Sequence, residues 1–392
     1  MNAHVKTPVA SVSERIARAA AVAARYADDV DQKGRFPAEA MQALKDERLM
    51  GVQIPVELGG EDTPIAEIAE LCSILGQACG STAMIFAMHH IKLSSLVEHG
   101  MGAEWHRGFM RRIADEQLLL GSATTEGGIG GNLRNSICAI EVEGDICRLE
   151  KEATVISYGV QSDAILITSR AHKDAASSDQ VMTVFLKDQY TLEKTHGWDT
   201  LGMRGTCSEG FLFKGEAPAE QIIPEPFAEI AAHSMLAMAH LLWSALWYGI
   251  AVDAVHRAQA FVRAAARKSP GQTPPGALRL AEISGKLQMI KTDIIHGVRQ
   301  YEEIRRNPES LTMGFLIAMN NTKLSTSTAI IDIVGQTLLI NGIMGFKNDT
   351  PFSVGRHLRD AYSAQLQISN ERILMNQSTM LLVNKQDMSL LG

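Results

Sequence analysis

The spacing of apolar residues changes twice along this chain, and that double change limits the folds open to it. Through positions 1–117 apolar residues recur three and four apart, the period of helices buried along one face. From 118 to 225 short alternating runs take over, separated by turn residues such as Glu143, Gly144 and Asp145. From Pro226 onward the helical period returns and stays. The pattern predicts an α+β chain of three docked units: a helical domain over 1–117, a β domain over 118–225 and a helical domain over 226–392.

Local signals place the elements. Ser11 and Ser13 can cap a helix carrying Ile16, Ala19, Ala20 and Ala23, and Phe36 with Pro37 opens a second. The stretch from Val52 to Gly60 reads as extended, and helices follow over roughly 64–78, 81–98 and 103–115. Strands are expected at 137–142, 146–150, 154–156, 164–168, 181–186 and 210–213. Long helices are expected over 229–268, 277–305, 309–341 and 355–387, with Pro- and Gly-bearing breakers between them. Four such amphipathic pieces pack most economically as a bundle.

Composition excludes several classes. At 46% hydrophobic and 21% charged residues the chain has an ordinary globular balance. A net charge of −7 argues against nucleic acid as a partner, which calls for a basic face. The apolar run from Met235 to Ala251 is interrupted by His240, Ser244 and Gly249, so it reads as a buried helix and no membrane association is expected. Cys72, Cys79, Cys138, Cys147 and Cys207 are odd in number and fit no metal or disulfide spacing. No metal site is expected, and a reducing cytoplasm is the expected compartment. The first residues lack an apolar run, so no signal peptide is expected.

One loop stands out chemically. From Gly121 to Asn132 the chain carries four glycines within the five positions 127–131, flanked by Thr124, Thr125 and Asn132. Without Cβ atoms such a backbone can bring its N–H groups close to something flat or anionic. A cradle for a phosphate-bearing cofactor and a plain connection between strands both fit. Neither a P-loop nor a dinucleotide fingerprint is present.

Several motifs, in order, resemble the acyl-CoA dehydrogenase superfamily of flavoproteins. The run 123–132 resembles its Thr-Glu and Gly-rich signature. Phe36, Pro37 and the segment 51–60 are similar to its amino-terminal Pro…Gly-Gly segment, and 151–163 resembles its Lys…Ala-Asp strand pair. Leu201 to Thr206 resembles its Leu-Gly-x-Arg turn, and Arg359, Asp360 and Ala361 match its carboxy-terminal Arg-Asp-Ala. The resemblance implies a central β-barrel-like domain between an all-α domain and a four-helix bundle. It implies FAD, an acyl-CoA or other acyl thioester substrate, a homo-oligomer (dimer or tetramer) and an electron-transferring flavoprotein as electron acceptor. By position it implies cofactor contacts from Thr124, Thr125, Gly130, Gly131, Ile156, Ser157, Gln336 and Gly342. Asn132, His89 and Ile368 would face the substrate.

The chain departs from that family where the chemistry is done. Dehydrogenation of an acyl thioester needs a base beside the α-carbon, ordinarily a glutamate. Ile368 stands at one usual position of that glutamate and Ala239 at the other. Glu371, about one helical turn on, and His240, beside Ala239, are the candidate catalytic residues. Glu371 could equally pair with Arg372 on the surface, and His240 could be a packed core residue. Gly131 and Asn132 replace the family's Ser-Asp. Three functions remain: an FAD-dependent acyl-CoA dehydrogenase with a relocated base, a flavin-dependent monooxygenase of the same fold, or a non-catalytic paralogue that binds flavin or acyl thioester.

Overall fold

The structure, a computed structural model, describes residues 10–128, 132–385 and 389. The helical unit at the front comprises α1 (Val12–Lys33), α2 (Ala38–Asp46), α3 (Ile65–Ala78), α4 (Gly80–His99) and α5 (Glu104–Glu116). Ser11 caps α1 in a reciprocal box, its side chain accepting from the Glu14 amide at 3.2 Å while Glu14 Oε2 accepts from the Ser11 amide at 2.8 Å. Pro37 sits at the mouth of α2. The segment 52–60 is a compact turn rather than an extended piece. Asp62 and Thr63 donate back to the Ile54 and Val52 carbonyls, and a Cβ on Gly60 would lie 2.0 Å from the Ile54 oxygen. Only glycine permits that closure.

The middle unit holds two sheets. One has the order β1-β4-β5, built from β1 (Leu120–Ala123), β4 (Ala164–Arg170) and β5 (Gln180–Leu186). The other has the order β2-β3-β7-β6, built from β2 (Glu141–Glu143), β3 (Ile146–Ile156), β6 (Tyr190–His196) and β7 (Glu209–Pro218). Phe185, Phe211, Phe213 and Ile167 pack between them in a core separate from the helical one. Two runs that the turn signals divide are one strand, β3, with a bulge between Ala153 and Ile156. β6 was not legible, because its residues after Tyr190 are largely exposed and show no apolar alternation.

The rear unit runs α6 (Phe227–Ile230), a π-helical turn (Ala231–Met235), α7 (Leu236–Lys268), α8 (Ala277–Arg306), α9 (Met313–Asn341), α10 (Ile343–Phe346), α11 (Gly355–Tyr362) and α12 (Asn370–Val383). The helical run 227–268 is long and apolar enough to span a bilayer, yet 89% of its most apolar window is buried in the protein. It is the bundle's core helix. The front unit docks on it at contact distance. A Cβ on Gly76 of α3 would meet the Leu246 oxygen at 2.3 Å, and one on Gly249 of α7 would meet the Ser73 oxygen at 2.1 Å. The last expected helix is broken in two. Ile368 takes φ +49°, and Lys323 Nζ of α9 donates to its carbonyl at 2.7 Å, so the chain leaves helical geometry before α12.

Candidate functional site

Where the three units meet lies a cavity of about 580 Å³. Helix α4 supplies Met84, Met88, Ile91 and Lys92, and the start of α7 supplies Leu236, Ala239 and Trp243. The β domain supplies hydroxyls: Ser122, Thr124 and Thr125 around β1, with Ser157, Thr206 and Ser208 opposite. The broken segment between α11 and α12 closes the mouth with Leu366, Gln367, Ile368 and Ser369. One side is apolar and the other carries hydrogen-bonding groups, the arrangement of a pocket that orients a largely flat ligand.

The hydroxyl side is ordered in one direction. Thr206 Oγ1 donates to the Met203 carbonyl at 2.9 Å, so at its 2.8 Å contact with Ser208 it must accept. Ser208 is thereby committed, and at 2.7 Å it accepts from Ser157. The Ser157 oxygen therefore offers lone pairs, not a proton, to the cavity. Met203 anchors the relay: its carbonyl also accepts from Trp198 Nε1 at 3.1 Å, and its amide donates to Asp360 Oδ1 at 2.7 Å. Burial raises the Asp360 carboxyl to a pKa of about 6.

Backbone strain gathers here. Met203 and Ile368 line the cavity with positive φ, and Tyr158 and Cys207, also positive, adjoin lining residues Ser157, Thr206 and Ser208. Such conformations persist only where surrounding bonds over-determine them, and they concentrate at functional sites. Behind the loop at Thr125, Glu126 accepts the amides of Ile137 and Cys138 at 2.9 and 2.7 Å and lies 4.0 Å from buried Lys151. Burial opposes ionisation of Glu126, but those bonds and the Lys151 charge together hold its pKa below the ordinary value.

The expected site residues divide into several groups. Thr124, Thr125, Ser157 and Ile368 line the cavity together. Ile156 is fully buried in the β core directly behind Ser157. Asn132 is exposed and caps its own turn, accepting from the Arg134 amide. Gly130 and Gly131 lie outside the described residues. His89 is a strut between units: its Nε2 donates to the Met50 carbonyl at 2.7 Å and its Nδ1 accepts from the Leu120 amide at 3.1 Å. That pattern fixes a neutral ring, and burial pushes its pKa down to about 4.

His240 lies behind the cavity wall formed by Ala239. Burial pushes its pKa down to about 3, helped by the Lys323 charge. Glu371 is exposed in the first turn of α12 and is not among the lining residues. Gln336 and Gly342 sit on the outer end of α9, where Gln336 bonds Arg279 and Asp332. Arg359 and Asp360 do not pair with each other, since neighbours on a helix diverge; Arg359 pairs with Asp31 across the unit boundary.

Lys92 and Lys323 were missed by motif reasoning. A signal existed for Lys92, which stands between Ile91 and Leu93 on a helix that the fold buries almost throughout; Lys323 lies in a polar run of α9 and carried none. Trp198 carried no signal beyond preceding the Leu-Gly-x-Arg turn, and Met203 none beyond filling that turn's unspecified position.

Residues 12–117 match the family model for the acyl-CoA dehydrogenase N-terminal domain. Over 239 residues the chain is 26% identical to cyclohex-1-ene-1-carbonyl-CoA dehydrogenase of Syntrophus aciditrophicus, covering 60% of this chain and 57% of that protein. The chain thus spans little more than half the length of that relative, and 52% of the corresponding Geobacter metallireducens protein. A probable acyl-CoA dehydrogenase of Mycobacterium tuberculosis, FadE25, is 23% identical over 349 residues, covering 88% of this chain and 87% of its own.

Among solved structures, FMN-bound TdsC of Paenibacillus sp. A11-2, a dibenzothiophene monooxygenase, superposes with a TM-score of 0.83 at 16% identity, over 95% of this chain and 98% of that one. The nitrososynthase of Micromonospora carbonacea var. africana gives 0.81 at 18% identity, over 95% and 96%. At such identities the likeness is one of fold.

Proposed function

We propose that this chain, which belongs to the acyl-CoA dehydrogenase superfamily, is a flavin-dependent oxidoreductase that oxygenates an organic substrate held in the cavity. One observation carries the reading. Among the described residues, the cavity wall holds three cations, Lys92, Arg359 and Arg372, and no carboxylate. Proton removal beside a thioester needs a base within hydrogen-bond reach, and Ile368 and Ala239, at the two positions where the resemblance would lead one to expect it, are apolar residues of the wall. Oxygenation with a reduced flavin makes no such demand.

The residues present fit a flavin. The hydroxyl relay ends on a Ser157 oxygen that can accept only from a donor in the cavity, which suits a ring N–H. The Trp198 ring lines the same cavity, next to the carbonyl hub of Met203. A bound flavin supplies the two-electron and oxygen chemistry that side chains lack, while Ser157, Thr124 and Thr125 orient it. If the cofactor is FAD rather than FMN, Gln336 and Gly342 meet the adenosine end contributed across a subunit boundary. The exposed Leu339, Ile343 and Phe346 around them support a homo-oligomer, dimer or tetramer. The five unpaired cysteines support a cytoplasmic setting.

A second reading is dehydrogenation of an acyl thioester, with electrons passed to an electron-transferring flavoprotein. The curated dehydrogenase relatives favour it. Glu371 or His240 would then have to move to the cavity to act as base.

The test is anaerobic titration of flavin-loaded protein with a panel of acyl-CoA thioesters, followed by oxygen-uptake assays with a flavin reductase. Oxygen uptake that requires the reductase, with no flavin bleaching by any thioester, supports the oxygenase. Near-stoichiometric bleaching by a thioester overturns it in favour of the dehydrogenase.

A further inference from the structure

Among the described residues, Lys92 is the one buried cation of the cavity wall that has no anionic partner. It is 4% exposed, yet its side chain lines the cavity. Its only hydrogen-bond partner among the described residues is the thioether of Met235, 3.0 Å away, a weak acceptor. The charged group that acts on it is another cation, Lys151, buried in the β domain and bonded to the Thr168 carbonyl. Arg359, by contrast, has Asp31, and Arg372 is exposed at the mouth.

The placement of Lys92 is enforced. Met84, Met88 and Lys92 recur four apart on α4, so all three face the cavity. Met235 is delivered opposite by the π-helical turn, which is held by Ser234 donating to the Ile230 carbonyl at 2.9 Å and by His99 contacting Ser234 at 3.1 Å. π-turns of this kind mark sites where a side chain must be re-aimed.

A buried ammonium without a counter-ion is unfavourable, and proteins keep such groups where a ligand or metal completes them. The described lining residues supply no carboxylate. From this we propose that the ligand supplies the missing charge: the cavity takes a substrate bearing an anionic oxygen group, a carboxylate or similar oxyanion, seated on the Lys92 ammonium between Met88 and Met235. Burial pushes the pKa of Lys92 down to about 7, which is the state expected of the site before that anion arrives. This deepens the oxygenase reading by naming a substrate class, but the geometry of Lys92 holds whichever redox reaction the site performs.

The same chemistry could come from the oxyanions of a bound flavin, so the experiment has two arms. Flavin-loaded and flavin-free full-length protein are titrated calorimetrically with 2-naphthoate and with 2-naphthamide, which share a shape and differ in charge. Flavin content is read separately by absorbance. In both arms naphthoate is expected to bind at least about ten-fold tighter than naphthamide. Lys92→Met, whose side chain can pack beside Met84, Met88 and Met235, is expected to abolish that preference without changing naphthamide affinity. Lys92→Arg is expected to retain most of it. The proposal is overturned if the native chain shows no preference for naphthoate, or if Lys92→Met keeps the preference. It is equally overturned if the preference exists only without flavin, because Lys92 then meets the cofactor and not the substrate.

Discussion

The Nζ of Lys323 lies 2.7 Å from the backbone carbonyl oxygen of Ile368, and that single bond ties the core of the bundle to the lip of the cavity. Lys323 is fully buried, reaches Asn370 Oδ1 as well, and lies 5.8 Å from the centre of the Trp247 ring. It stands under Ile368, which lines the cavity. Lys323→Met therefore releases the Ile368 carbonyl and removes the reason for its left-handed backbone. The expected cost is about 2–4 kcal/mol in urea unfolding, the range for losing charged hydrogen bonds in a buried setting. Hydrogen exchange should rise selectively over 363–373; uniform exchange across the bundle would contradict the local role.

Acid should destabilise the protein above the ordinary carboxylate range. His89, His240 and His357 are held neutral by burial, with pKa values of about 4, 3 and 4, and His90 is pushed down as well. Each has a pKa near 6.5 when unfolded. Between pH 6.5 and 4 the unfolded chain therefore binds more protons than the folded one, and stability must fall as pH falls. The slope approaches about 1.4 kcal/mol per pH unit for each such histidine. Asp360, raised to about 6, opposes this by one proton between pH 6 and 4. Denaturant midpoints measured from pH 7.5 to 4.5 should show a net decline, and a flat profile would refute it.

Ser157→Ala should weaken flavin retention by about two- to ten-fold, the worth of one neutral hydrogen bond. Ser157→Thr should restore it, because threonine keeps the hydroxyl that closes the relay with Ser208. Flavin dissociation followed by fluorescence checks this, and equal retention in all three chains would remove Ser157 from the cofactor's edge.

Glu371→Gln should leave turnover within about two-fold of the native chain, since the carboxylate is exposed and does not line the cavity. A loss of a hundred-fold or more, the scale of a missing general base, would return the dehydrogenase reading to first place.

Phe346→Glu should lower the molar mass seen by light scattering. Phe346 is 71% exposed beside Leu339 and Ile343, and a charge there cannot be covered by an apolar partner face. An unchanged mass would move the contact elsewhere, to Met375 or Leu382 of α12 being the next exposed apolar group.

Periodicity alone located most helices of the front and rear units to within a few residues, because each buries one face against a core and must repeat accordingly. It missed the break at Ile368, which no proline or glycine announces and which a lysine 45 positions away imposes. It also split β3 and omitted β6, where exposure erases alternation.

What the sequence determined by itself was the order of the three units, which follows from the local spacing of apolar residues, while the motifs around Thr125, Ser157 and Leu201 were marked only by their resemblance to a known family. What only the tertiary structure decided was the chemistry of the cavity. The direction of the hydroxyl relay, the isolation of Lys92 and the exposure of Glu371 each depend on groups far apart in the chain, brought within bond distance by the packing of α4, β3 and α7. Local propensity carries no record of such partners, so the base-free, cation-bearing wall could be read only after the chain was folded.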